Sequence, residues 1–487
     1  METAFNRGED TMTNLTIIQQ NDTHGSLELH HELFWKENQP ELHKTGGFPR
    51  IAKYVKDLKS QNENVLFLDG GDLFHGTLPL VASKGEAILP ALKKMGLDGW
   101  VPGNWDFAYG KEQLASLVKE LPFPTIACNV KEENDNQSFL KPYIIKELKG
   151  VKVGVIGLTY PYVDETMPAS FSKGLIFSKG VEETRQCVDE LKSNVDLIVL
   201  LSHMGLPLDV ELATLVDGID IILSGHSHDR VEEPITVNDT RVVQAGSSAS
   251  FLGKLEITLE GGKMEDYRYE LVAIDESFSE DEEMSGIIAN LLEAFSKERG
   301  NIVGRTESIL HRMTLNEAPM DQLITDAYLH AYNSDLAFSH GWRYGTPVRA
   351  GDLTEYDLHT IIPTNPEMFT LEMTGERLMN ALEKNLEMVF SRDPFKQKGG
   401  YILRSSGLFM SFKPYNPEGN RIQKLLVGGQ EIDLKKKYKI AGAGKQLFKG
   451  AEADKTYHGV HAVNVIKQFL KETGTYKADQ EPKILST

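Results

Sequence analysis

The sequence predicts an α/β protein in two parts: a layered strand-and-helix domain, a linking helix, and a second domain of α+β texture. Three observations carry this reading. Short apolar runs rich in β-branched residues recur at 15–18, 65–68, 151–158, 195–201 and 219–223. Between them lie amphipathic stretches with helical spacing, at 48–58, 89–95, 111–121 and 181–191. Strand alternating with helix is the pattern of layered α/β proteins. From Ile302 to Thr487 the texture changes: helices expected at 316–333 and 374–385 are followed by strand-like pieces, with turns at 416–419 and 428–429.

Residues 279–300 read as one helix joining the two parts. Ser279 and Glu282 have the spacing of a capping box, and Met284, Ile287, Ile288, Leu291, Leu292 and Phe295 fall on one face. Gly300 is placed to end it. The expected division is 1–278, a linking helix at 279–301, and 302–487. A chain of 487 residues has room for about two to four domains, and no internal repeat is evident.

Composition narrows the function classes. The chain is 40% hydrophobic and 25% charged, with a formal net charge of −19. Such a chain repels nucleic-acid phosphates and anionic membrane surfaces, so neither is expected as a partner. A phosphate substrate would need the local sign overturned, which bound divalent cations do directly. The two cysteines, Cys128 and Cys187, read as buried or half-buried free thiols. The first fourteen residues hold no apolar stretch of signal-peptide length, and no window approaches the roughly 18 apolar residues of a membrane span. The expectation is a cytoplasmic protein; its oligomeric state is not readable.

Chemistry is concentrated where the strands end. LTIIQQ runs into Asn21, Asp22, Thr23, His24 and Gly25; VLFLD runs into Gly70, Gly71 and Asp72. Pro102, Gly103 and Asn104 follow Trp100 and Val101; IVLLS runs into His203; IIL runs into Ser224, Gly225, His226, Ser227 and His228. In open α/β sheets ligands bind beyond the carboxyl ends of strands. Histidine and carboxylate are ligands of zinc, manganese and iron. Asp22 and His24, like His226 and His228, are two apart and would point to one side in extended backbone. Seven such groups exceed the needs of one ion. They suit two divalent ions about 3.5–4 Å apart sharing a carboxylate, an arrangement that activates water and clamps a phosphoryl group. Each element alone is ordinary turn or hydrogen-bonding chemistry; five in succession in one domain are not.

At these residues the chain resembles the calcineurin-like metallophosphoesterases, and within them the 5′-nucleotidase / 2′,3′-cyclic-nucleotide phosphodiesterase family. The resemblance covers nearly the whole chain. Asn-Asp-x-His-Gly, Gly-Gly-Asp, Gly-Asn, His-Met-Gly and Gly-His-Ser-His occur in the family's order. It implies a four-layer α/β-β/α catalytic domain, a linking helix and a 5′-nucleotidase-type C-terminal domain that grips the substrate and swings relative to the first. It implies one metal on Asp22, His24, Asp72 and His228, and a second on Asp72, Asn104, His203 and His226, with Asp72 bridging. The ions would be Mn²⁺ or Zn²⁺, with Fe or Co also suited. Segment 338–354 stands where the family has its phosphate- and nucleoside-binding motif; Arg343 matches its arginine and Arg349 is a second candidate. Tyr401 stands where one of two base-stacking rings is placed. The implied activity is hydrolysis of a small phosphate ester, a nucleotide or its relative, by a metal-bridging hydroxide, with Asp72, Asn104 and Arg343 as catalytic residues.

Two departures bear on mechanism. After Gly-Asn the family has an acid-assisting histidine paired with an aspartate three residues on; here the positions are Trp105 and Ala108. Asp106 is not assigned the missing role, and His340 or His75 are candidates to replace it. The loop carrying the second stacking ring is replaced by 445–459. Trp105, and Arg343-Tyr344-Gly345 after Trp342, resemble the thiosulfohydrolase branch of the superfamily. Two other readings follow: a sulfate-ester hydrolase on the same site, or a metal- or nucleotide-binding protein impaired in catalysis.

Overall fold

The computed structural model describes residues 12–487 and has a two-domain α/β architecture of mixed sheets with helices. Most of the N-terminal stretch on which the leader expectation rests, residues 1–11, lies outside the described residues. Two sheets dominate the first domain. One has five strands in the order Lys263–Ala273, Phe251–Glu260, Thr13–Gln20, Val65–Asp69, Gly99–Trp100. The other has six, in the order Ile235–Val237, Thr240–Gln244, Ile221–Ser224, Leu197–Ser202, Val151–Leu158, Tyr143–Leu148. Thr13–Gln20 pairs in parallel with Val65–Asp69, and Leu197–Ser202 with Ile221–Ser224. Every residue of Val65–Asp69 and of Leu197–Ser202 is buried. Strands covered on both faces read as continuous apolar runs, which is why these were visible in the sequence.

Helices cover the sheets as their amphipathic spacing requires. Phe48–Gln61 buries Phe48, Ile51, Ala52 and Val55, and Val181–Leu191 buries Thr184, Cys187, Val188 and Leu191. The two sheets meet at their carboxyl ends, where the Gln19 Nε2 amide on one donates to the Ser224 carbonyl on the other at 2.6 Å. Cys128 and Cys187 are both buried free thiols.

The expected single helix at 279–300 is two helices, Glu282–Glu293 and Ser296–Gly300. The cap is Asp281, not Ser279: the Asp281 carboxylate accepts from the Met284 amide at 3.0 Å and from Lys56 at 2.7 Å. The chain breaks at Ala294 and Phe295, so Phe295 does not continue the apolar face. Two hairpins escaped the sequence pattern, His30–Lys36 with Gln39–Thr45 and Phe251–Glu260 with Lys263–Ala273.

The second domain holds a five-stranded sheet in the order Arg404–Ser406, Leu336–Ser339, Lys437–Ala443, Glu367–Thr374, Thr456–His461. A four-stranded sheet and the helices Pro319–Tyr332, Gly375–Phe390 and Ala462–Thr473 complete it, with a three-stranded sheet at its edge. The apolar core of the first domain runs on through Met284, Ile288 and Leu292 to Leu310 and Met320; a separate core gathers around Phe338, Phe369 and Phe412.

A buried ionic cluster fixes the loop that faces the first domain. Asp321 accepts from Arg312 Nε at 2.8 Å and lies 3.2 Å from Arg404 Nε. Arg312 also donates to the Tyr344 carbonyl at 2.8 Å, holding the segment that carries Arg343. All three side chains are at most 2% exposed. Removing one partner of a buried pair leaves the other charge uncompensated. Asp321→Ala is therefore expected to lower stability by about 3–5 kcal/mol, read from urea unfolding midpoints, with Asp321→Asn milder.

Candidate metal centre

The residues at the strand ends converge. Asp22 and His24 follow Thr13–Gln20, Asp72 follows Val65–Asp69, and Asn104 follows Gly99–Trp100. His203 follows Leu197–Ser202, and His226 and His228 follow Ile221–Ser224. The backbone there is unusual. Asp22, His24, Asp72, His226 and His228 have φ of 50°, 47°, 59°, 73° and 64°. Left-handed backbone is uncommon for non-glycine residues and costs on the order of 1 kcal/mol or more at each site, so such residues cluster where function demands them. The extended backbone expected for Asp22 and His24, and for His226 and His228, is thus replaced by tight turns. His226 and His228 consequently face different partners.

Glycine is required where these turns crowd together. A Cβ at Gly71 would meet the Gly103 amide and the His203 ring at 2.6 Å, and one at Gly103 would collide with Asp72 Oδ1 and the same ring.

One cluster joins Asp22, His24 and His228. His228 Nε2 is 3.1 Å from Asp22 Oδ1 and 3.2 Å from His24 Nε2. A second joins Asp22, Asp72 and His203, with His203 Nε2 3.4 Å from Asp72 Oδ2 and 3.8 Å from Asp22 Oδ1. Asp72 Oδ2 also lies 3.5 Å from His24 Nε2, so Asp72 and Asp22 both sit between the clusters. Asn104 Oδ1 and His226 Nδ1 are 2.8 Å apart beside the second. His24 Nδ1 faces the His75 carbonyl at 3.1 Å and His203 Nδ1 the Gly70 carbonyl at 2.5 Å, which orients both rings.

The electrostatics call for cations. Burial alone would raise the Asp22 and Asp72 carboxyls, yet the surrounding histidines hold both below the usual carboxylate range. Burial lowers His24 to about 4, with Asp72 pulling the other way. Burial, then Arg343 and His203, keep His226 neutral. Burial also opposes charge on His203, but Asp72 and Asp22 outweigh it and push it up to about 10. The donor set fits a divalent pair: His203 Nε2 is buried without a hydrogen-bond partner, and two imidazole nitrogens face each other at 3.2 Å.

Asp106, next to the centre, is a clamp. Its carboxylate accepts from the amides of Asp72, Leu73, Phe74 and Gly103 at 2.7, 2.9, 2.8 and 2.7 Å. Burial and the charge on Asp72 push it up to about 7, against those four donors. It ties the Gly-Gly-Asp loop to the Gly-Asn loop.

The second domain completes the site. Arg343 donates from Nη2 to the His226 carbonyl at 2.5 Å. A cavity of about 450 Å³ runs from His24, Asp72, Asn104, His226 and His228 past Arg343 to Tyr401 and Phe448. Arg349 is not brought there: Val348 is held by a β-bridge to Leu310, and Arg349 is exposed, its charge felt at His31. Trp105 stacks on His75 with ring centroids 4.4 Å apart and meets Tyr344 edge-on at 5.1 Å. His340 lines the same cavity. Sequence patterns did not single out Tyr160, whose ring stacks on His226 at 4.2 Å, nor Phe448, which reaches the cavity with φ of 51°. For Phe448 the signal was an aromatic residue within the replaced loop.

Comparison with known proteins follows this geometry. Residues 15–230 match the calcineurin-like phosphoesterase family and residues 300–452 the 5′-nucleotidase C-terminal domain. The chain is 26% identical to a 5′-nucleotidase of Diplobatis ommata, over 87% of this chain and 78% of that one. It is 25% identical to the trifunctional nucleotide phosphoesterase protein YfkN of Bacillus subtilis, over 86% of this chain but only 30% of that longer protein. Its fold matches a 5′-nucleotidase precursor of Thermus thermophilus with a TM-score of 0.87, at 25% identity and covering 97% of this chain and 99% of that one. It also matches the Thermus thermophilus sulfate thiohydrolase SoxB with a TM-score of 0.90, at 24% identity and covering 97% and 96%.

Asp106→Asn keeps the volume but exchanges two acceptor oxygens for one. It is expected to weaken divalent-metal binding about 10- to 100-fold, measured by competition with a chromophoric chelator.

Proposed function

We infer that this chain, which belongs to the calcineurin-like metallophosphoesterases and carries a 5′-nucleotidase-type C-terminal domain, hydrolyses small phosphate esters, nucleotides among them. The observation that carries the reading is the convergence of Asp22, His24, Asp72, Asn104, His203, His226 and His228 beside a cavity that Arg343 enters from the other domain. Two divalent cations, Mn²⁺ or Zn²⁺ in our reading and Fe or Co as further candidates, would be held by these residues. When bound they supply Lewis-acid charge and activation of water.

The chain's own groups do the rest. Asp72, between His24 and His203, is the shared carboxylate, and its Oδ1 is fixed by the Trp105 amide at 2.8 Å. Arg343 presents its guanidinium to the phosphoryl oxygens, where charge builds up as the bond breaks. Tyr401 and Phe448 line the same cavity and give a base or other flat group two aromatic surfaces.

Trp105 sets the limit. The position after Asn104 offers an indole that cannot supply a proton to the departing oxygen. His75 is pushed down to about 3 and His340 to about 4, each chiefly by burial, so both are neutral near pH 7. General-acid help is typically worth about 10²–10⁴ in rate. Substrates with good leaving groups, such as anhydrides and thio-linked groups, or with a strained ring, such as cyclic diesters, are therefore favoured. The aromatic wall of Trp105, His75 and Tyr344 beside the ligands supports a second reading, a sulfate-type ester in the same place.

Metal-stripped protein reloaded with Mn²⁺ or Zn²⁺ is expected to turn over phosphoesters, and Asp72→Ala to abolish this. Across aryl phosphates of rising leaving-group pKa the rate is expected to fall by about 10²–10⁴ overall. A flat series would mean that another side chain supplies the proton. Turnover of a sulfate ester alone would select the second reading, and stoichiometric metal without turnover would leave a binding protein.

A further inference from the structure

The same cavity has a cationic lining whose chemistry is unlike that of the strand-end residues. Lys384, Lys398 and Lys449 line it, and apart from Asp72 the sole acidic lining residue among the described residues is Glu165. Lys398 pairs with Glu165. Lys449 donates to the carbonyls of Asp164 at 3.1 Å and Glu165 at 2.7 Å, so two ammonium groups gather around one residue. Lys384 is exposed and, like Lys449, has no ion-pair partner among the described residues. In a chain of net charge −19 this is a local excess of positive charge in the lining of a site.

The lysines come from different places. Lys384 lies on the helix Gly375–Phe390, Lys398 on the following loop, and Lys449 in the segment that carries Phe448. The loop of Lys398 reaches the metal centre as well: its carbonyl accepts from Tyr160 Oη at 2.6 Å, and a Cβ on Gly399 would meet His226 Nε2 at 2.5 Å. One cavity therefore has cation-seeking residues, Arg343, the aromatic rings of Tyr401 and Phe448, and three ammonium groups in its lining. Like charges brought together repel unless an anion joins them, and Glu165 offsets only one of the three.

We propose that the substrate is a phosphoester whose far end carries a second anionic group, carboxylate or phosphate, bound by Lys384, Lys398 and Lys449. The proposal rests on the phosphoesterase reading and adds the substrate class. A scissile phosphoryl group sits at the metal centre, a flat or apolar middle lies against Tyr401 and Phe448, and the distal anion completes the lysine cluster. All three lysines belong to the second domain, and Lys398 and Lys449 reach across to Glu165 of the first.

The test compares 4-carboxyphenyl phosphate and its longer biphenyl homologue with the matching carboxamides, and with a distal phosphonate. The protein is the metal-loaded full chain, as wild type, Lys384→Ala and Lys449→Ala. The quantity read is the ratio of kcat/KM for the anionic over the neutral ester. The wild-type ratio is expected to be about tenfold for the spacer that fits, to shrink with added salt, and to approach one in the variants. Whether the carboxylate or the phosphonate gives the larger ratio identifies the distal group. A wild-type ratio near one for every spacer overturns the proposal. So do variants that slow both esters equally, because the lysines then only fasten the domains. Calorimetric binding of hydrolysis-resistant phosphonate analogues gives the same ratio without catalysis. The ratio thus decides the anion site, while turnover of the carboxamide decides the hydrolase reading.

Discussion

Two carboxylates and four imidazoles, all nearly removed from water, cannot share one small space without positive charge to join them. Asp22 and Asp72 stand between His24, His203 and His228, with His226 and Asn104 alongside. Burial of such groups is tolerable only when cations or protons bind them. Much of the first domain is arranged to hold that cluster. Parallel strands buried on both faces deliver the residues to one edge, and five left-handed turns aim them inward. The Asp106 carboxylate pins two of the loops through four backbone amides. Strain in the turns is opposed by the packing of the sheets beneath.

The second domain answers to the same centre. Its Arg343 crosses to the His226 carbonyl, and the Arg312–Asp321–Arg404 cluster holds the segment that carries it. Tyr160 and Tyr162 of the first domain donate to the carbonyls of Lys398 and Phe395 in the second. The cavity therefore exists between surfaces that are fastened at several points. Its wall beside Asn104 is aromatic where an acid would assist departure, and part of its lining is cationic. Those two features, rather than the strand-end residues, distinguish the chemistry open to this chain.

Much of this was legible in the sequence because parallel strands read as unbroken apolar runs. An Asp, His or Asn after one such run is ordinary turn chemistry, but five such strand ends in one domain are not. The loops that end strands were legible for the same reason. What escaped depends on contacts far apart in the chain. Asp106 acts on amides more than thirty residues earlier. Tyr160 matters only once it lies over His226. Arg349 has the right residue type, but the bridge between Leu310 and Val348 leaves it on the outside. The helix at 279–300 is divided because Asp281, already held by Lys56, takes the cap, and the chain turns at Phe295. The strand Lys263–Ala273 was hidden because Val272 alone in it is buried, so no apolar run marks it.

The central claim is that these seven residues form a two-cation site. It is tested most directly by anomalous diffraction from crystals of the full chain soaked in Mn²⁺. The account predicts two peaks, one bordered by Asp22, His24 and His228 and the other by His203, Asn104 and His226, with Asp72 between them. A single peak, or none at these residues, would contradict it.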